Sequence, residues 1–177
     1  MDGFPAFAGG PLVARLDCQM ASLYNADWQD HIMTATEYVV DVLGGPKVFS
    51  GRALPTSAQM RDRVKAGLPF SSLESVRERL RLSVPEAANV LQMPARTLAR
   101  RRSSRKLAAD ESDRLYRLAR IAAQAFGVFG TDDKASTWLQ RPNRALNNEP
   151  PIHLLDTDVG TRQVEDMLGR IAHGVVS

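Results

Sequence analysis

Cysteine is nearly missing from this chain. Cys18 is the only one in 177 residues, which excludes an intramolecular disulfide and a cysteine zinc cluster. Histidine is also scarce, and His31, His153 and His173 are too scattered to form a metal site. No metal or cofactor is expected. Long apolar runs are lacking: none approaches the ~18 residues that a membrane span requires. The opening MDGFPAFAGG has neither the basic start nor the apolar run of a signal peptide, so a cytoplasmic protein with no membrane partner is expected. Gly-rich phosphate loops, GxSxG and HExxH are absent too. Asp156 and Asp158 flank a helix start, where capping explains them. Nothing here suggests an enzyme.

What remains suits a helical protein. Only 6% of residues are aromatic, against 44% hydrophobic and 24% charged, enough to bury a core and too apolar for a disordered chain. The net charge of +3 says little by itself, but its distribution is informative. Basic residues concentrate between Arg77 and Arg120, while acids and bases mix in the C-terminal third.

Residues 1–33 hold Gly, Pro and isolated apolar residues without a period, and read as a flexible arm. Thr36 is placed to cap a short helix carrying Tyr38, Val39, Val42 and Leu43, stopped by Gly44-Gly45-Pro46. A loop is expected from there through Pro55. Ser57 then reads as the cap of a helix ending at Gly67, and Ser71 or Ser72 as the cap of the next, through Leu73, Val76, Leu80 and Leu82.

The stretch LSVPEAANVLQMPARTLARRR is the most informative. Ser83, Pro85 and Glu86 form a capping box with proline in the first turn. That short helix passes Ala87, Ala88, Val90 and Leu91 and stops at Gln92-Met93, where Pro94 suits the opening of a second helix running to about Ser103. Two short helices joined tightly constitute a helix-turn-helix. The turn carries Gln92 where glycine is commonest.

The second helix is dense in charge: Arg96, Arg100, Arg101, Arg102, Arg105 and Lys106 place six cations within eleven residues. An arginine run on an ordinary helix is a solvated face. On the second helix of a helix-turn-helix, which enters the major groove, it becomes a candidate DNA surface. With Met93 and Leu98 turned inward, Ala95, Arg96, Thr97, Ala99, Arg100 and Arg102 or Ser103 face outward. Arg96 and Arg100 lie four apart on one face, and each guanidinium can pair with guanine O6 and N7. Arg101, Arg102, Arg105 and Lys106 fit phosphate contacts.

A long helix from about Asp110 to Phe126 is predicted next, with Leu115, Leu118, Ala119, Ala122 and Phe126 on one face. Gly127, Gly130 and Thr131 mark a break before a helix bearing Ala135, Trp138 and Leu139, and Pro142-Asn143 ends it. NNEPPIH reads as a turn-rich connector, and a last helix runs from about Asp158 to Gly174.

Trp138, Leu139, Pro142, Asn143, Leu146, Pro150, Leu154, Leu155, Thr157, Gly160, Val164, Leu168, Ile171 and Gly174 together form a specific pattern. It resembles the toxin-binding domain of the Xre/MbcA/ParS family of type II antitoxins, closely over about forty-five residues; the helix-turn-helix resembles that family more loosely. The resemblance implies a partner, a RES-domain toxin that consumes NAD. It implies that the chain neutralises the toxin by direct binding and represses its own operon. The toxin-binding candidates it brings are Trp138, Asn143, Leu154, Thr157, Arg162, Arg170 and His173, with the tail Val175, Val176 and Ser177 near the toxin active site. Each has an ordinary reading beside it. Trp138, Leu139, Val164, Leu168 and Ile171 recur at helical spacing and suit a core, Gly160 suits a turn and Gly174 a helix end, and Arg162, Arg170 and His173 suit a solvated surface.

The expected architecture is all-α: an arm (1–33), a helix-turn-helix DNA-binding domain (34–127) and a toxin-binding domain (128–177). Operator DNA and the toxin are the expected partners, and a homodimer is expected because one short recognition helix reads only a half-site. Two other readings stay open. The chain could be a freestanding repressor whose C-terminal lobe serves dimerisation, or an adaptor that has lost DNA recognition.

Overall fold

The computed structural model describes residues 35–49 and 54–174. The arm, with Cys18 and His31, and the tail Val175, Val176 and Ser177 lie outside the described residues. Those described form helices and turns, with isolated bridges Pro69–Lys106 and Asn143–Glu149 and no strand.

Helix α1 (Ala35–Val42) ends where Gly44 and Gly45 take positive φ. The expected loop after it instead begins with a helical turn, α2 (Pro46–Phe49). Helix α3 (Ser57–Ala66) is capped by Thr56, not by Ser57: Thr56 Oγ1 accepts the Gln59 N–H and Gln59 Oε1 accepts the Thr56 N–H. Helix α4 (Phe70–Arg79) likewise starts earlier than expected, after Pro69. Ser72 lies buried inside it, its hydroxyl without a hydrogen-bond partner among the described residues.

Helices α5 (Val84–Val90) and α6 (Ala95–Ser104) form the expected pair. Helix α7 runs Ala109–Phe129, past Gly127, and ends at Gly130 in the left-handed conformation. Gly127 breaks nothing because its φ is helical and its solvent-facing position is open. Helix α8 (Asp132–Gln140) is capped by Thr131. The connector holds 3₁₀ turns at Arg144–Leu146 and Pro151–Asp156, and α9 (Asp158–Ala172) closes the described chain.

One core runs through all of this. Leu43, Leu68, Leu91, Leu115, Leu118 and Ile121 share it with Leu139, Leu155, Val164 and Leu168, and within the helices these apolar residues recur every three to four positions, as burial of one helix face requires. Helix α7 is its axis, packing against α1, α3, α8 and α9. Polar contacts cross the same seam. Ser136 Oγ and Gln140 Nε2 both donate to the Leu80 carbonyl at 2.7 Å, Arg79 pairs with Asp41 and Asp132, and Arg120 pairs with Glu165.

Two glycines separate cleanly. Gly67 has φ +97°, and a Cβ there would strike the Leu107 carbonyl oxygen. Urea unfolding should show Gly67→Ala destabilised by about 1–3 kcal/mol. The same measurement should show Gly127→Ala stabilised by roughly 0.5–1 kcal/mol, the ordinary helix preference.

Candidate nucleic-acid interface and partner surface

The helix-turn-helix is built from its capping box upward. Ser83 Oγ accepts the Glu86 N–H at 3.3 Å and the Glu86 carboxylate accepts the Ser83 N–H at 2.7 Å, which fixes where α5 begins. Hydrogen bonding to the Ser83 side chain, then to its backbone, holds the Glu86 carboxyl below the usual range, with His153 adding a small favourable field. Ala87 and Ala88 are buried, so α5 comes close to its neighbours. Gln92 supplies the turn at φ +52°, the backbone state that glycine usually fills.

Helix α6 then exposes the outward face that its sequence indicated. Ala95, Arg96, Ala99, Arg100, Arg102 and Ser103 are exposed, Thr97 and Leu98 half-buried, and Met93 buried before the helix starts. Arg105 and Lys106, past the helix end, are exposed as well, Arg105 in the left-handed conformation. Elsewhere arginine is mostly matched by acid, as in Arg61–Asp62, Arg81–Asp133, Arg114–Asp110, Arg117–Asp113 and Arg162–Asp158. Among the described residues no carboxylate pairs with Arg96, Arg100, Arg102, Arg105 or Lys106. Like charges so close repel unless an anion offsets them, and a phosphate backbone supplies one.

Arg101 is placed differently from those neighbours. It is half-buried, and its Nε donates to both carboxylate oxygens of Glu111 on α7, at 2.7 and 2.9 Å. The expectation that it touches phosphate overlooked this partner. Nothing in the local spacing discloses a pairing between two helices. The one available signal was a glutamate at the third position of a helix whose preceding residue, Ala108, has no capping side chain.

The C-terminal candidates divide between local structure and open surface. Trp138 stacks obliquely on Phe129, ring centroids 5.4 Å apart. Asn143 Oδ1 accepts the Ala145 N–H and starts a 3₁₀ turn. Thr157 Oγ1 accepts the Gly160 N–H and caps α9, and Gly160 is needed because a Cβ would strike the Leu154 carbonyl oxygen. Leu154 packs half-buried on the core and Arg162 pairs with Asp158. Arg170 and His173, one turn apart, are exposed with no ion pair among the described residues, beside a shallow concavity shared with Glu165, Asp166 and Gly169.

Fold and surface together define a helix-turn-helix protein continued by a second helical module. Residues 59–120 match the Antitoxin Xre-like helix-turn-helix domain, and residues 124–174 match the Antitoxin Xre/MbcA/ParS C-terminal toxin-binding domain. A protein named Antitoxin Xre from Pseudomonas putida is 38% identical over 122 residues, 68% of this chain and 76% of that one. Those of the same name from Yersinia enterocolitica and Photorhabdus laumondii are 35% and 34% identical, over 66% and 63% of this chain and 80% and 76% of theirs. The chain belongs to the Xre antitoxin family. Among the described residues no group of three or more His, Cys, Asp and Glu could hold a metal, and no helix is long and apolar enough to cross a membrane.

The capping box makes its own prediction. Because the folded state holds the Glu86 carboxyl low, its contribution is complete above the ordinary carboxylate range and lost as pH falls through the folded value. Ser83→Ala should cost about 1 kcal/mol near neutral pH, and urea titrations at decreasing pH should show that difference shrinking below about pH 4.

Proposed function

We propose that this chain neutralises a RES-domain toxin that consumes NAD, its C-terminal region covering the toxin active site, and that it represses its own operon through α5 and α6. It works in the cytoplasm as a homodimer and carries no catalytic activity of its own. The observation that carries this reading is the pairing of two distinct exposed surfaces on one chain. The first is the basic face Arg96, Arg100, Arg102, Arg105 and Lys106, unmatched by acid among the described residues. The second is the outer end of α9, where Arg170 and His173 stand exposed.

Arg96 and Arg100 are assigned to base edges and Arg102, Arg105 and Lys106 to phosphates, with Thr97 between them on the same helix. The two-fold symmetry of a dimer would match a palindromic operator. On the partner side, Arg170 and His173 lead toward Val175, Val176 and Ser177, which are assigned to the toxin cleft. Trp138, Asn143, Leu154, Thr157 and Arg162 are the further candidates for contact with the toxin. A short helical module bearing an exposed end is suited to filling a neighbouring protein's cleft.

Co-expression with the product of the adjacent reading frame, followed by capture through a tag on this chain and an assay of cellular NAD, tests the reading. A stable complex with NAD and growth restored is expected; no complex and no protection would overturn it. Arg96→Ala or Arg100→Ala should cost roughly 1–3 kcal/mol of operator discrimination, measured by titration of operator against scrambled duplex, with neutralisation intact. Truncation after Asp156 should abolish neutralisation, measured by the same NAD assay.

A further inference from the structure

Helix α6 buries none of its residues fully; Leu98 alone packs on the core from it, and only in part. Apolar burial therefore leaves the helix weakly anchored. Its strongest tie is polar. The buried Glu111 carboxylate accepts Arg101 Nε and, at 2.7 Å, the Ala108 N–H that opens α7. Around this tie the connection from α6 to α7 is pinned to the segment Leu68–Phe70. Phe70 N–H donates to the Arg105 carbonyl and Leu107 N–H to the Leu68 carbonyl. Ser112 Oγ accepts the Leu68 N–H and donates to the Ala108 carbonyl. One turn beyond Glu111, Arg114 Nη1 donates to the Leu91 carbonyl at the end of α5. The first turns of α7 thus grip both helices of the pair.

We infer that Arg101 is a positioning residue and not a phosphate contact: its pairing with buried Glu111 sets the orientation in which α6 presents Arg96, Arg100 and Arg102 to DNA. A guanidinium whose Nε edge faces an inward carboxylate is held toward α7. The inference rests on the reading of α6 as a DNA-binding helix, and salt dependence separates the two. Removing a cation that meets a phosphate lowers the slope of log affinity against log salt by about one, whereas removing a residue that only positions others weakens binding at constant slope.

The test is fluorescence-anisotropy titration of the full chain, over a range of salt, with a labelled duplex from the DNA upstream of its own reading frame. Arg102→Ala should lower the slope by about one. Arg101→Ala should leave the slope unchanged while weakening binding about ten-fold, the size of a single mismatched base pair. Glu111→Gln should weaken binding as well. Removing a negative charge would otherwise strengthen attraction to DNA, so this sign is not produced by electrostatics alone. Circular dichroism reports whether each variant is folded. Arg101→Ala combined with Glu111→Gln, which leaves no buried charge without a partner, should bind about as weakly as the weaker single variant and not be weakened by the product of the two losses, because both changes remove the same pairing. A slope lowered by about one in Arg101→Ala, with Glu111→Gln neutral or tighter, would overturn the inference and leave the DNA reading standing. A wild-type chain that binds no duplex would overturn both.

Discussion

The buried carboxylate of Glu111 is the point on which the molecule's presentation of its basic surface depends. A charge taken out of water is costly unless it is paired and its remaining lone pairs are used. Here Arg101 and the Ala108 N–H use them. The result is a fixed angle between a long, well-buried helix and a short one that buries almost nothing. Without it, the recognition helix would be a charged segment held by one half-buried leucine and the backbone ties at its end.

That arrangement places α7 at the centre of both domains. Its first turns hold α5 and α6, while further along it Arg120 and Gln124 reach Glu165 on α9, by ion pair and by hydrogen bond to the backbone carbonyl. The 3₁₀ turn Pro151–Asp156 also packs on α5, so the C-terminal region supports the first helix of the helix-turn-helix. The two exposed surfaces are features of one packed body, and α7 spans the sequence boundary between the two family domains.

Much of this was legible in the sequence because its signals were local. The Ser83–Glu86 box, the proline that opens α6 and the apolar faces of α7 and α9 each rest on neighbours within a turn or two, and the structure realises them. Some local signals fixed an element but not its exact boundary. Thr56 caps α3 although Ser57 was read as the cap, and Ser72 is buried although serine suggested a cap. Gly127 and Gly130 looked alike, but only Gly130 takes a positive φ. What stayed hidden was contact across helices. Arg101 read as one more cation in a run, and only the folded chain brings it to Glu111. Asn143 and Thr157, named through a family resemblance, also serve as local caps.

Amide hydrogen exchange on the full chain tests the separation of surfaces most directly, with the chain alone, with the upstream duplex, and with the product of the adjacent reading frame. The duplex should slow exchange in Val84–Val90 and Ala95–Ser104 and leave Asp158–Ala172 unchanged. The partner protein should protect Asp158–Ala172 and leave Ala95–Ser104 unchanged. Protection of Asp158–Ala172 by the duplex, or of Ala95–Ser104 by the partner protein, would contradict that separation.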